Sequence, residues 1–399
     1  MLGVLDDFRR AQLAIAALFC FLGFQYATWA SRLPTLKSEL GLDETQIGLL
    51  LMACGVGAAV SFPLVTYLMR RLGSGRLALL SGLCMVALLL ALSAAPDYPV
   101  ALLIICADGV AVGCLNVAMN AQGAALEAAY ERTAMAQLHA TFSGGSFVAA
   151  LVASGSNALT SALVPHFTAA SVLLLLLLAC ARPRLLPDDE RDRQPAETGE
   201  REKKSRRRLT LPSRVTLWLG CAMVFGTVTE GAMNDWSALY MKDVAHAPSQ
   251  LAPMGIAVVS VTMVLARVLG DGWRSRWGDA RVVRVGSAVA GLGLALALLA
   301  GGVVPALIGF ACVGLGVAAV TPCLYVAAAA EGPNALALVA ATGTTGLLAG
   351  PAVIGFVAGV SSLVWGMAVV AASAVLVSLC STRIRFTSPD AKDVAEPVA

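Results

Sequence analysis

Apolar runs of about twenty residues follow one another almost without pause along this chain, and that succession leaves few architectures open. A hydrocarbon core about 30 Å thick is crossed by about 20 apolar residues in helical form. Runs of that length cover residues 11–31, 45–68, 76–95, 99–125, 137–159 and 165–181, then 214–238, 252–272, 281–300, 304–328, 336–358 and 361–380. Hydrophobicity all round such helices means lipid or buried helix contact on every side. The ten-residue alternating segments of a membrane β-barrel are absent. Only 13% of the 399 residues are charged, against about 25% in soluble domains, too few to clothe a soluble protein of this size. The expected fold is an all-α membrane protein of twelve transmembrane helices in two six-helix bundles. The bundles are expected at 1–181 and 214–385, with a connector at 182–213 and a tail at 386–399. No A-x-A-like site follows the first run, Ala11 to Ala30, which reads as a retained helix.

The connector carries Asp188, Asp189, Glu190, Arg191, Asp192 and Arg193, then Lys203, Lys204, Arg206, Arg207 and Arg208. So polar a stretch neither enters a bilayer nor builds a core. Placement of lysine and arginine sets the expected orientation. One side holds Arg9, Arg10, Arg70, Arg71, Arg76, Arg132, Arg274, Arg276, Arg281, Arg284, Arg383, Arg385, Lys392 and the basic connector; the loops opposite hold only Arg32, Lys37 and Lys242. Both termini and the connector are therefore expected in the cytoplasm, in a multi-pass protein of the cytoplasmic membrane. The ten cysteines all lie in apolar segments, with no C-x-x-C pair and no Cys/His cluster, so neither metal nor redox chemistry is expected. No cofactor and no nucleic-acid partner are expected, and the chain is read as a monomer whose partners are the lipid bilayer and a small-molecule substrate.

The halves repeat. Arg71-Leu72-Gly73-Ser74-Gly75-Arg76 after the second run returns as Arg276-Trp277-Gly278-Asp279-Ala280-Arg281 after the eighth, and Thr28-Trp29-Ala30 is echoed by Asp235-Trp236-Ser237. The offsets are 205 and 207 residues, and two matches at nearly one offset make chance the weaker reading. A parallel duplication of six-helix units is the pattern of major facilitator carriers, and the chain resembles that superfamily along essentially its whole length. In the family's G-x-x-x-D-R-x-G-R loop pattern Arg71 and Gly73 agree, while Thr66 and Arg70 stand where the family has Gly and Asp. The run Asn116-Val117-Ala118-Met119-Asn120-Ala121-Gln122-Gly123, with Glu230-Gly231-Ala232-Met233-Asn234-Asp235-Trp236-Ser237, is similar to the YbjJ-like branch related to fucose permeases. Those permeases have a Glu and an Asn four residues apart in helix 4; Asn120 fits the Asn, and Asn116 stands at the Glu. Ala140-Thr141-Phe142-Ser143 resembles their Q-T-F-N, with Ser143 at the Asn. The coupling acid is thus missing from its family position, and sugar specificity is not carried over. The resemblance implies a secondary carrier working by alternating access.

Ionisable groups within a span cost about 2.5–3.5 kcal/mol at its centre and mark pathways or partners. Glu230, flanked by Gly226 and Gly231, is the first candidate for proton coupling, because desolvation would let it take up and release protons near neutrality; the alternative is a protonated glutamate acting as packing glue. Asp108 is the second candidate. Asn116, Asn120 and Glu127 share one face of their helix and suggest a polar cavity wall, or else interhelical hydrogen bonding. Gln25, Ser143, Asn234, Thr321 and Tyr325, with His139, are candidates to complete a substrate lining, while Asp235 is expected at the outer surface. Arg267 and Asp271, four residues apart on one helix, are read as a cytoplasmic gate pair, or as a snorkelling arginine beside a solvated acid. No Gly-Lys-Ser or Gly-Lys-Thr, G-x-S-x-G or HExxH occurs, so neither an ATP-driven pump nor an enzyme is expected. A lining of Asn, Gln, Ser and Thr suits a small polar solute. An uncoupled facilitator and a drug or metabolite efflux carrier remain open, as does a ligand-sensing membrane protein without transport.

Overall fold

The computed structural model describes residues 2–186, 212–384 and 386. Most of the expected connector and tail lies outside the described residues, as does the side chain of Asp271. In chain order the helices are α1 (Leu2–Ala30), α2 (Leu33–Leu40), α3 (Glu44–Leu72), α4 (Ser74–Leu92), α5 (Tyr98–Tyr130), α6 (Met135–Leu159) and α7 (Leu163–Ala181). They continue as α8 (Arg214–Leu239), α9 (Met254–Trp277), α10 (Asp279–Ala300), α11 (Val303–Val317), α12 (Val320–Ala330), α13 (Pro333–Val360) and α14 (Leu363–Ser381). There is no strand among the described residues. Lipid offers backbone N–H and C=O groups no partner, so each spanning segment satisfies them within its own helix.

Among the described residues ten segments are long and apolar enough to cross a membrane, Val303–Ala330 counting as one. The remaining two of the expected twelve are α6, a 25-residue helix, and α9, whose apolar part is the shorter stretch Met254–Gly270. The run expected as one helix over 304–328 is interrupted between Val317 and Val320. Pro322 explains the break: it lacks the N–H that would bond to the carbonyl of Ala318, and its ring would press on that carbonyl. Several helix starts are capped by their own sequence. Asp97 Oδ1 accepts from the Val100 N–H and Ser213 Oγ from the Thr216 N–H. Asp43 and Gln46 exchange side-chain-to-backbone hydrogen bonds in a reciprocal capping box.

The chain divides into two compact units. The first runs to Trp29, resumes over Ala53–Ser156 and continues from Thr160; the second holds Ala30–Met52, Asn157–Leu159 and the chain from Pro212 onward. Inside the first, α3 and α5 cross where Gly57 faces the Cys106 carbonyl and Gly109 faces that of Cys54, so closely that a Cβ on either glycine would overlap backbone. Inside the second, Gly314 of α11 lies against Val259 and Thr262 of α9, and Gly346 of α13 against Val224 and Thr227 of α8. Small residues at crossings are how helices gain close contact in lipid, where no hydrophobic force drives them together. Residues of the 30–52 segment are tied to the second unit by charge as well. Lys37 Nζ lies 2.8 Å from Glu44 Oε1 and 2.7 Å from Asp243 Oδ2. Arg32, read from the sequence as an outer-loop charge, is fully buried. Burial lowers its pKa, and Glu39 raises it in part.

The sequence repeat has a conformational counterpart. Gly73 adopts φ 78°, ψ 168° before α4, and Gly278 adopts φ 76°, ψ 153° before α10. That region of backbone space is open essentially to glycine alone, so both turns need a glycine at the same place in the motif.

Candidate transport site

In the first unit two of the expected lining residues meet. Gln25 on α1 donates from Nε2 to Asp108 Oδ1 on α5 at 3.0 Å, and the two are 1% and 2% exposed. Asp108 Oδ2 and Gln25 Oε1 have no hydrogen-bond partner. A buried acceptor left in that state costs about 1–3 kcal/mol. A protonated aspartic acid would turn one of these acceptors into a donor. Tyr26 and Trp29 pack edge to face on the same helix, with ring centroids 5.0 Å apart. The Trp29 indole is buried, and its N–H has no partner. The sequence reading did not single out this aromatic pair; its three-residue spacing on a helix that also carries Gln25 was the available signal.

The polar stripe of α5 separates into distinct roles. Asn120 donates from Nδ2 to Asn116 Oδ1 at 2.7 Å and to the Asn116 carbonyl at 2.8 Å. Asn116 is exposed and Asn120 half-buried. Glu127 turns instead to the start of α6, accepting from the Ala134 and Met135 N–H groups at 2.5 and 2.8 Å. There it caps a helix N-terminus, where the macrodipole favours an anion. The buried Gln122, not expected to act, clamps α5 to α4 and to the end of α7. It donates to Ser74 Oγ (2.7 Å) and the Leu186 carbonyl (3.0 Å), and accepts from the Leu186 N–H (2.9 Å). Ser143 is buried in α6. His139, one turn before it, is exposed and packs edge to face with Phe19.

In the second unit an ion pair joins two helices. Arg267 on α9 reaches Glu230 on α8, with Nη2 3.1 Å from Oε1. The side chains are 24% and 27% exposed respectively. The offsetting charge comes from the neighbouring helix and not from α8 itself. Arg267 is engaged with Glu230, while the proposed partner Asp271 has a side chain outside the described residues. Asn234 stands one turn beyond Glu230 and donates to its carbonyl at 3.3 Å. Asp235, expected to be solvated, is 3% exposed. Thr321 and Tyr325 lie one turn apart on α12, Thr321 half-buried and Tyr325 exposed. Among the described residues no cluster of His, Cys, Asp and Glu could hold a metal ion.

Comparison with known proteins agrees with this architecture. A sequence model of the Major Facilitator Superfamily matches residues 13–334. An uncharacterized MFS-type transporter of Yersinia pestis is 33% identical over 366 residues, which cover 88% of this chain and 90% of that protein. Among solved structures, a D-xylose-proton symporter aligns with TM-score 0.76 at 14% identity, over 94% of this chain and 98% of its own. The transporter FucP, solved in the outward conformation, aligns with TM-score 0.61 at 15% identity, over 96% and 100%. At such identities the likeness to the solved structures is one of fold.

Proposed function

The chain belongs to the Major Facilitator Superfamily, and we propose that this transporter is a proton-coupled secondary carrier of a small polar solute, working by alternating access with Glu230 as its coupling acid. One observation carries the reading: an ion pair between two transmembrane helices, Glu230 to Arg267 at 3.1 Å, about a quarter exposed on each side. Coupling needs an acid that protons can reach and whose protonation changes something else. Partial exposure supplies the first condition, and Arg267 the second. When Glu230 takes up a proton, the pair loses its charge attraction, which shifts the balance between conformations that keep or break the α8–α9 contact. An equilibrium moves only when the two states interact differently with the bound species, and the ion pair provides that difference. Gln25, Asn116, Asn120, Ser143, Asn234, Thr321 and Tyr325 are the residues we assign to the solute. Both termini are read as cytoplasmic and the membrane as the cell membrane, from the arginine-rich ends of the spans.

A second reading places the proton on Asp108, favoured by its unpartnered Oδ2 beside the equally unpartnered Gln25 Oε1. The experiment separates the two. A thermal-shift screen of the purified protein against sugars, nucleosides, organic acids and antibiotics identifies a ligand, and its labelled form is then followed in proteoliposomes. Glu230→Gln should lose accumulation driven by an imposed pH gradient while keeping ligand binding and energy-independent counterflow. Retained gradient-driven accumulation in Glu230→Gln, with loss in Asp108→Asn, moves the coupling to Asp108. Retention in both variants places the coupling on another group, and no gradient-driven accumulation in the unmodified protein marks a facilitator.

A further inference from the structure

On the second unit a cavity of about 430 Å³ opens beside the repeated turn at Gly278. Trp273 and Trp277, stacked with centroids 6.4 Å apart, and Arg281 from the first turn of α10 line it. The rest of the lining is apolar and includes Val285, Leu315 and the glycines Gly286 and Gly316, where α10 and α11 come close together. From Arg281 to Val285 the helix climbs about 6 Å, so the charged and apolar parts of the cavity are separated along the direction of the spans. Tryptophan is the side chain that concentrates where hydrocarbon meets headgroups.

The arginines around the turn are unequal in availability. Arg274 is held by Asp279, Nε to Oδ1 at 2.8 Å and Nη2 to Oδ2 at 3.1 Å. Arg281 is exposed and has no ion pair among the described residues. Beyond the cavity, Val285, Val289, Leu292, Leu296 and Leu299 form one continuous exposed face of α10. These residues recur every three or four positions, as one stripe of a helix does, so the cavity opens onto a surface made for acyl chains.

We propose that this cavity is a binding site for an anionic phospholipid, with the phosphate on Arg281 between the tryptophans and one acyl chain in the apolar slot. The arginine-rich end of the spans is the one read as cytoplasmic, so the lipid belongs to that leaflet. A soluble phosphate would satisfy Arg281 and leave the slot unused; a zwitterionic lipid would fill the slot and leave the charge uncompensated. Basic pockets between transmembrane helices on this side recognise anionic headgroups through the same combination.

The test uses the full chain reconstituted in phosphatidylcholine vesicles and reads quenching of tryptophan fluorescence by lipids with brominated acyl chains. Trp273→Phe/Trp277→Phe defines the background from the other tryptophans. Quenching of the Trp273–Trp277 signal should saturate at a lower fraction of brominated phosphatidylglycerol than of brominated phosphatidylcholine, with a preference of about fivefold for one basic residue at the surface. Arg281→Gln should abolish the preference and leave quenching by phosphatidylcholine unchanged, and Ala319→Leu, which narrows the slot, should reduce quenching by both lipids. Equal quenching by the two lipids in the unmodified protein overturns the proposal without recourse to any variant. So does a preference that survives Arg281→Gln, or one removed by millimolar inorganic phosphate, which would mark a soluble-anion site.

Discussion

Removing Arg267 alone from the Glu230–Arg267 pair should cost more than removing both partners, and the structure allows the difference to be sized. At 3.1 Å two unit charges attract by about 5 kcal/mol at an effective dielectric of 20. Partial exposure and the desolvation of both groups reduce this, leaving a coupling of about 1–3 kcal/mol, the range found for residues in direct contact. Arg267→Met leaves a carboxylate within a span and should destabilise by about 2–3 kcal/mol, close to the insertion cost of an unpaired charge. Glu230→Gln should cost less, about 1 kcal/mol, because the long stem of Arg267 can carry its guanidinium towards water. The double variant should lie nearer the Glu230→Gln value than the sum of the two. Reversible denaturant unfolding in mixed micelles gives all three differences. Additive effects, with a coupling below about 0.5 kcal/mol, would refute the pair as an energetic unit and remove the basis for using it as a proton switch.

Gly73→Ala and Gly278→Ala should each lower stability by about 1–3 kcal/mol in the same unfolding assay, since both turns use backbone angles closed to alanine. Gly109→Val should prevent normal accumulation in the membrane, read by fluorescence-detected size exclusion, because its side chain would overlap the Cys54 backbone. For Lys37, burial alone would lower the ammonium's pKa, but the hydrogen bonds it donates to Asp243 and Glu44 more than offset this and hold the pKa above that of a free lysine. Its stabilisation is therefore complete at neutral pH and is lost only as pH rises through that raised value. Lys37→Met should cost about 1 kcal/mol at pH 7, and thermal unfolding should show the gap to the unmodified protein unchanged between pH 7 and 9. Reporter fusions at Asp97 and His246 should read external, and those at the Gly73 and Gly278 turns cytoplasmic.

Much of the fold was legible in the chain because its cause is local. A run of twenty apolar residues needs no partner to be helical in lipid, since each backbone group bonds within its own segment. The turns at Gly73 and Gly278 were legible for a related reason: a positive φ is a property of one residue, and the motif around it returns 205 positions later. The ionisable groups worth attention, Asp108 and Glu230, could likewise be picked out as charges inside apolar runs.

Their partners could not. Arg267 lies 37 residues from Glu230, and Gln25 lies 83 from Asp108. Helical periodicity tells which face a residue shares with its own neighbours, not which helix that face meets. That choice depends on how deeply glycines such as Gly57, Gly109, Gly314 and Gly346 let backbones approach, and so on the rotation and register at which whole helices lock. Spacing along one helix puts Asp271 within reach of Arg267, but only packing could bring Glu230 to it from the next helix. For Glu127, expected on a cavity wall or in interhelical hydrogen bonding, packing supplied the second, through the N–H groups at the start of α6. Hydrophobic length determined the spans of this protein; helix packing alone decided which of their few polar groups would face one another.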